Sequence, residues 1–204
     1  KPEAERLINL DSIQLTSGIH IDRFEINGEE TSWPVLHDHY TRQNINLSNP
    51  LLPGDSIHFS VQWHYEIDPA FVRNGRSLRQ GMIDPTAYCV AYFYPCVSVF
   101  DDYNGWDRLQ FTGAQEFYND FSNYTLKVNV PKNFIVWATG TLQNPDQVLQ
   151  PHYAQLLKES MTSDSVIHIA TPQDLESKNI TTQDEINTWI WKANDVTEVA
   201  LFIS

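Results

Sequence analysis

The chain has 204 residues, 41% of them hydrophobic and 19% charged, which excludes a disordered or fibrous protein and predicts a globular one with its own core. Its 13 Lys and Arg face 26 Asp and Glu, and the formal net charge of -13 argues against a nucleic-acid or anionic-membrane partner. The longest mostly apolar stretch, Cys89 to Phe100, is interrupted by Pro95 and Ser98 and falls short of the ~18 apolar residues that a spanning helix needs, so no membrane span is expected.

Apolar residues recur mostly with period two, the pattern of strands with one face on a core. Ile19 to Ile26 predicts a strand, and Asn27-Gly28 a tight hairpin turn after it. Ile45 and Leu47 alternate with polar neighbours ahead of the turn Pro50-Leu51-Leu52-Pro53-Gly54-Asp55. The cleanest alternation is Ile57, Phe59, Val61, Trp63, Tyr65 and Ile67, which predicts a long strand. Residues 68–84 have no period and predict a loop. Strands are expected again at Tyr88 to Tyr94, Val97 to Phe100, Tyr124 to Val130 and Ile135 to Leu142. Asn144-Pro145 predicts a helix start, Tyr153 to Met161 a helix, Ser165 to Ala170 a short strand, and Thr171-Pro172 a helical turn through Ser177. Ile186 to Lys192 and Val196 to Ile203 predict a closing hairpin. The sum is a mainly β, antiparallel sandwich- or saddle-like domain with a few short helices, read as one domain over residues 1–204. Lys1 at the start and the apolar run Val199 to Ile203 at the end lead to the expectation of a fragment of a longer protein.

Most catalytic signatures are missing. None of the seven histidines is followed by Glu, so the zinc-peptidase pattern H-E-x-x-H does not occur. His37-Asp38-His39 places two imidazoles on one strand face, but an exposed polar segment gives the same pattern and is the favoured reading. Asp101 to Asp107 looks like a calcium loop, yet the bidentate Glu that such a loop needs would fall on Thr112 or Gly113, and a hairpin turn with Asn104-Gly105 at its tip is favoured. Asp101 and Asp102 as a glycosidase pair would point to opposite faces of a strand. There is no G-x-S-x-G elbow and no G-x-G-x-x-G loop. Cys89 and Cys96, in apolar strand context, read as inert thiols, and a bridge between them is disfavoured. Six Trp and nine Tyr suit a β core better than a carbohydrate platform.

Residues 88–149 carry a family pattern. Tyr94-Pro95-Cys96-Val97-Ser98-Val99-Phe100-Asp101-Asp102 is followed by Asn104-Gly105-Trp106, then by Gly113-Ala114-Gln115-Glu116-Phe117-Tyr118. Tyr124 to Pro131 and Ala138-Thr139-Gly140-Thr141-Leu142-Gln143-Asn144-Pro145 complete it, with Asn44 to Leu47, Pro50 to Gly54 and Trp189 to Ile203 matching on either side. The chain resembles the N-terminal domain of aminopeptidase N-like gluzincin zinc metallopeptidases, in particular a bacterial branch.

The resemblance implies a non-catalytic β domain that packs on the parent's own catalytic domain and forms one wall of a peptide-substrate cleft. Zinc and the general base would lie in that other domain, leaving no cofactor in this chain, and the parent would be extracytoplasmic: periplasmic, envelope-associated or secreted. Asp84, Thr86, Tyr92, Tyr94, Asp101, Asp102, Asn104 and Trp106 are the residues expected to face the cleft or the interface. Thr86 falls where many relatives hold the substrate's amine with Glu or Gln, and Tyr92 falls where the bacterial branch often has Gln. Threonine cannot supply the charge, Asp84 is the nearby substitute, and exopeptidase and endopeptidase action both stay open. An exposed apolar patch including the last strand is expected where the catalytic domain docks. The alternative is a stand-alone β-sandwich carbohydrate-binding or adhesion module displaying coplanar Trp or Tyr.

Overall fold

A computed structural model describes residues 18–34, 41–67, 81–109 and 118–204. It is mainly β, with four antiparallel sheets and three short helices among the described residues. The strands are β1 (His20–Ile26), β2 (Glu29–Glu30), β3 (Phe59–His64), β4 (Gly81–Asp84), β5 (Ala87–Val90), β6 (Phe100–Asp101) and β7 (Gly105–Trp106). After them come β8 (Ser122–Pro131), β9 (Val136–Ala138), β10 (Thr141–Leu142), α1 (Pro145–Val148), α2 (Pro151–Ser160), α3 (Pro172–Ser177), β11 (Ile186–Val196) and β12 (Leu201–Ile203). Among the described residues no helix is long and apolar enough to cross a membrane. The chain divides into two compact units, Lys1–Asp68 with Tyr94–Asn119 and Pro69–Phe93 with Asp120–Ser204.

In the first unit β1 lies between β2 and β3. Asn27 and Gly28 both take positive φ, 53° and 85°, the pair of left-handed residues that a two-residue hairpin turn requires. The Asn27 side chain fixes the turn further by accepting from the His58 N–H at 2.9 Å. Phe24 on β1 is buried, edge-on to Trp33 and stacked on Phe59. The expected long strand keeps its alternating burial from Ile57 to Ile67 except at half-buried Ser60, but only its middle, β3, is hydrogen-bonded into a sheet. Ile45 and Leu47 are likewise half-buried between exposed neighbours, and 44–47 is no strand. Alternation records which face is covered; a ladder needs a partner strand as well.

The second unit is organised by the long β8–β11 ladder, in which Trp189 pairs with Val128 and Trp191 with Leu126. Asn187, Trp189, Trp191 and Ala193 are the buried alternate residues of β11. Val148, Leu149, Ala154 and Ile180 join Trp189, Trp191, Val130 and Val136 in one apolar cluster, so α1 and α2 contribute to the core on that side. Asn144 ties the start of α1 to β11, donating to the Thr188 carbonyl at 2.8 Å and accepting from the Ile190 N–H at 3.0 Å. The second sheet of this unit runs β4-β5-β12-β9.

Helix starts follow the proline rule: Pro145, Pro151 and Pro172 each open a helix, where a missing N–H costs nothing. Thr171 and Asp174 form a reciprocal capping box on α3, and the Lys178 backbone closes the helix in the left-handed region. Thr171→Ala should therefore cost about 1 kcal/mol, read as a lowered denaturant midpoint at unchanged slope.

Several expectations need correction. The closing hairpin does not exist: β11 pairs with β8 and β10, whereas β12 joins the other sheet between β5 and β9. The expected strand Ile135 to Leu142 is likewise two strands in two sheets, β9 and β10, parted at Gly140. Ser165 to Ala170 forms no strand. Residues 81–84 of the expected loop are β4, and residues 68–80 lie outside the described residues. The strand expected from Tyr88 to Tyr94 ends at Val90, and of Val97 to Phe100 only Phe100 is in a strand. Cys96 is exposed rather than in a strand, its Sγ donating to Asn119 Oδ1 at 3.7 Å. The last strand is no exposed patch, since β12 is an interior strand with Leu201 buried.

Candidate functional site

The segment that carries the family pattern contains a small hairpin, β6–β7, in which Phe100 pairs with Trp106 and Asp101 with Gly105. Asp101 builds it: its carboxylate accepts from the backbone N–H of Tyr103 at 2.9 Å and from that of Asn104, and the Asn104 side-chain amide donates at 3.3 Å. Gly105 supplies the left-handed residue, φ 71°, that closes a three-residue loop back into the ladder. This is the expected hairpin, with Asp102, Tyr103 and Asn104 at its tip. The sequence reading weighed Asp101 as an acid; its position in the fold is that of the turn's organiser.

The hairpin presents apolar surface. Phe100 and Trp106 meet edge to face at 5.2 Å and an interplanar angle of 67°. They are 61% and 52% exposed, and Tyr103 at the tip is 92% exposed. Val97 and Leu109 on the flanks are exposed too, while Val99 between them is buried and accepts from the Asp107 N–H at 2.8 Å. One buried valine thus roots a hairpin whose large side chains stay in solvent. Sequence reasoning selected Trp106 and the polar tip but missed Phe100 and Tyr103. Their exposure comes from how little packs on so short a turn, and no local sequence signal marks it.

Tyr94, also in the first unit, is half-buried, and Asp102 and Asn104 are exposed. Three further predicted residues lie in the second unit. Asp84 and Thr86 come together in the β4–β5 turn, where one Asp84 oxygen accepts from the Thr86 N–H at 2.7 Å and from its hydroxyl at 2.8 Å. Tyr92 holds φ 53°, unusual for a bulky side chain, and its hydroxyl donates to Glu198 at 3.4 Å. Glu198 is a partner that no spacing rule on the sequence pointed to. His37, Asp38 and His39, with Gly113 to Phe117, lie outside the described residues.

Hydrogen bonds set the acidity of these turns. The Thr86 N–H and hydroxyl hold the Asp84 carboxyl below the usual aspartate range, and the Asn104 N–H and amide do the same for Asp101. In the α3 cap, the Thr171 hydroxyl and N–H, then the Tyr153 hydroxyl, lower Asp174. A lowered folded value means that the carboxylate form stabilises the fold. Its contribution is complete above the unfolded aspartate range and is lost as pH falls through the lowered folded values. Carboxyl-detected NMR titration should find these three aspartates ionised to lower pH than an ordinary aspartate. Asp101→Ala should remove the β6–β7 part of this acid sensitivity and leave the titration of Asp174 in place.

No family model, curated protein or solved structure matches the chain in comparisons with all three.

Proposed function

We propose that the chain is the non-catalytic N-terminal domain of a zinc metallopeptidase of the aminopeptidase N type. In this reading it packs on the parent's catalytic domain and forms one wall of its peptide cleft, with Phe100, Tyr103 and Trp106 on the covered face. The observation that carries it is the exposed apolar hairpin within the very segment, Tyr94 to Trp106, that resembles the family. A covered face is apolar at its centre with polar groups at its rim, and here Asp102 and Asn104 stand beside the aromatics. The zinc and the group that activates its water belong to the catalytic domain. The proposed contribution of this chain is to bind, shape the cleft and exclude water. In this reading the parent works outside the cytoplasm.

A second reading, the carbohydrate-binding or adhesion module, draws on the exposure of Tyr103 and Trp106. Stacking on a sugar wants coplanar rings, and the 67° between Phe100 and Trp106 fits a flat platform poorly.

Burial of two aromatic side chains contributes several kcal/mol, so Phe100→Ala with Trp106→Ala should lower kcat/KM of the full-length peptidase by about tenfold or more. The unfolding midpoint of the 204-residue chain alone should stay where it is. Unchanged peptidase kinetics in the double variant would contradict the assignment of this face. Tryptophan quenching of the isolated chain by oligosaccharides, lost in Trp106→Ala, would favour the second reading.

A further inference from the structure

We propose that His20 and His64 form a binding site for a divalent transition-metal ion, with Asp22 as the residue that positions one of the two imidazoles. The site lies on the β1–β3 ladder of the first unit and rests on none of the functional reading above. It is separate from the catalytic zinc, which that reading places in another domain.

The register sets the two imidazoles opposite one another, since His20 is the cross-strand partner of His64. Directly opposed residues of an antiparallel pair have their Cβ atoms roughly 4.5–5.5 Å apart on one face, within reach of a shared ion. The rings lie almost parallel, 15° apart in plane with centroids at 5.1 Å. The ladder then shifts register between Ile21 and Arg23, which leaves Asp22 as the extra residue of a bulge. Bulges re-aim side chains, and the Asp22 carboxylate points at His64, both its oxygens 2.9 Å from Nδ1.

That contact decides the tautomer. A carboxylate only accepts, so Nδ1 of neutral His64 carries the proton and Nε2 keeps its lone pair. An imidazole held by a carboxylate on one nitrogen and open on the other is the usual arrangement of a metal-ligating histidine. The side chain of His64 is 66% exposed and that of Asp22 48%, so an ion reaches them from solvent. An ion at the ~2.0–2.1 Å of metal–imidazole bonds lies in the plane of each ring, so binding turns the His20 ring out of its near-parallel stack while Asp22 holds His64 in place. Two nitrogens completed by water suit Cu²⁺, Ni²⁺ and Zn²⁺, with Cu²⁺ held most tightly, whereas Ca²⁺ and Mg²⁺ require oxygen ligands.

The test is electron paramagnetic resonance of the 204-residue chain with one equivalent of Cu²⁺. A single species with hyperfine splitting from two imidazole nitrogens is expected. His20→Gln and His64→Gln should each lose that signature, His58→Gln on the same unit should keep it, and Asp22→Asn should keep it at about tenfold or more weaker affinity. Circular dichroism checks that each variant is folded. In the unaltered chain, substoichiometric Cu²⁺ should broaden the NMR resonances of His20, Asp22 and His64 before any others. A two-nitrogen signal that survives His64→Gln, one abolished by His58→Gln, or broadening centred elsewhere would overturn the site.

Discussion

Gly140→Ala should unfold or nearly unfold the second unit, at a cost of about 3 kcal/mol or more. Gly140 has φ 101°, a region that L side chains avoid. A Cβ there would sit 2.1 Å from the Lys192 carbonyl oxygen and 2.6 Å from its carbon. Those atoms are backbone in the middle of β11, so relief means displacing the ladder. The same glycine stands where the chain leaves the β4-β5-β12-β9 sheet and enters the β10-β11-β8 sheet. The close approach and the change of sheet are one structural event, and both require a residue with no side chain. Calorimetry of the purified variant checks this; a transition within a few degrees of the parent chain's would refute it.

Trp189→Ala should cost about 3–5 kcal/mol, the range for an aromatic removed from a packed core. Trp189 is 1% exposed, faces Val128 across the ladder, and belongs to the cluster that joins β11 to Val148, Leu149 and Ala154. The cavity would be lined by strand and helix residues that hold one another in place, which limits collapse. Trp106→Ala removes the same side chain from a 52% exposed position and should stay within about 0.5 kcal/mol of the unaltered chain. Denaturant melts of the two variants side by side thus separate a tryptophan that holds the fold from one available to a partner. Equal losses would contradict the assignment of the β6–β7 hairpin as a surface built for contact.

Local chemistry made part of this structure legible in the sequence. Asn27-Gly28, the Thr171-Pro172 start of α3 and the alternation through Tyr124 to Val130 were read correctly because each depends on neighbours a few residues away. The partners of β12 were not legible. Its apolar run follows β11 closely enough to suggest a hairpin, and only the sheet pairings, with Val90 on one side and Ala138 on the other, show otherwise. The expected break-free strand from Ile135 to Leu142 failed for a related reason, since nothing local distinguishes a glycine inside a strand from one at which the chain changes sheet. At the candidate site the sequence located the segment and missed its working surface. The acids Asp84 and Asp101 drew attention as chemistry, and each is found holding a turn through its own neighbours. Exposure of Phe100 and Tyr103 depends on how little else packs on that hairpin, which no local pattern encodes.

The proposal that this chain forms one wall of a zinc peptidase is tested most directly by the sequence of the reading frame downstream of Ser204. An H-E-x-x-H motif within a few hundred residues, in a protein that carries zinc and cleaves peptides, is the expected result. A stop codon soon after Ser204, or a long continuation without that motif, would contradict it.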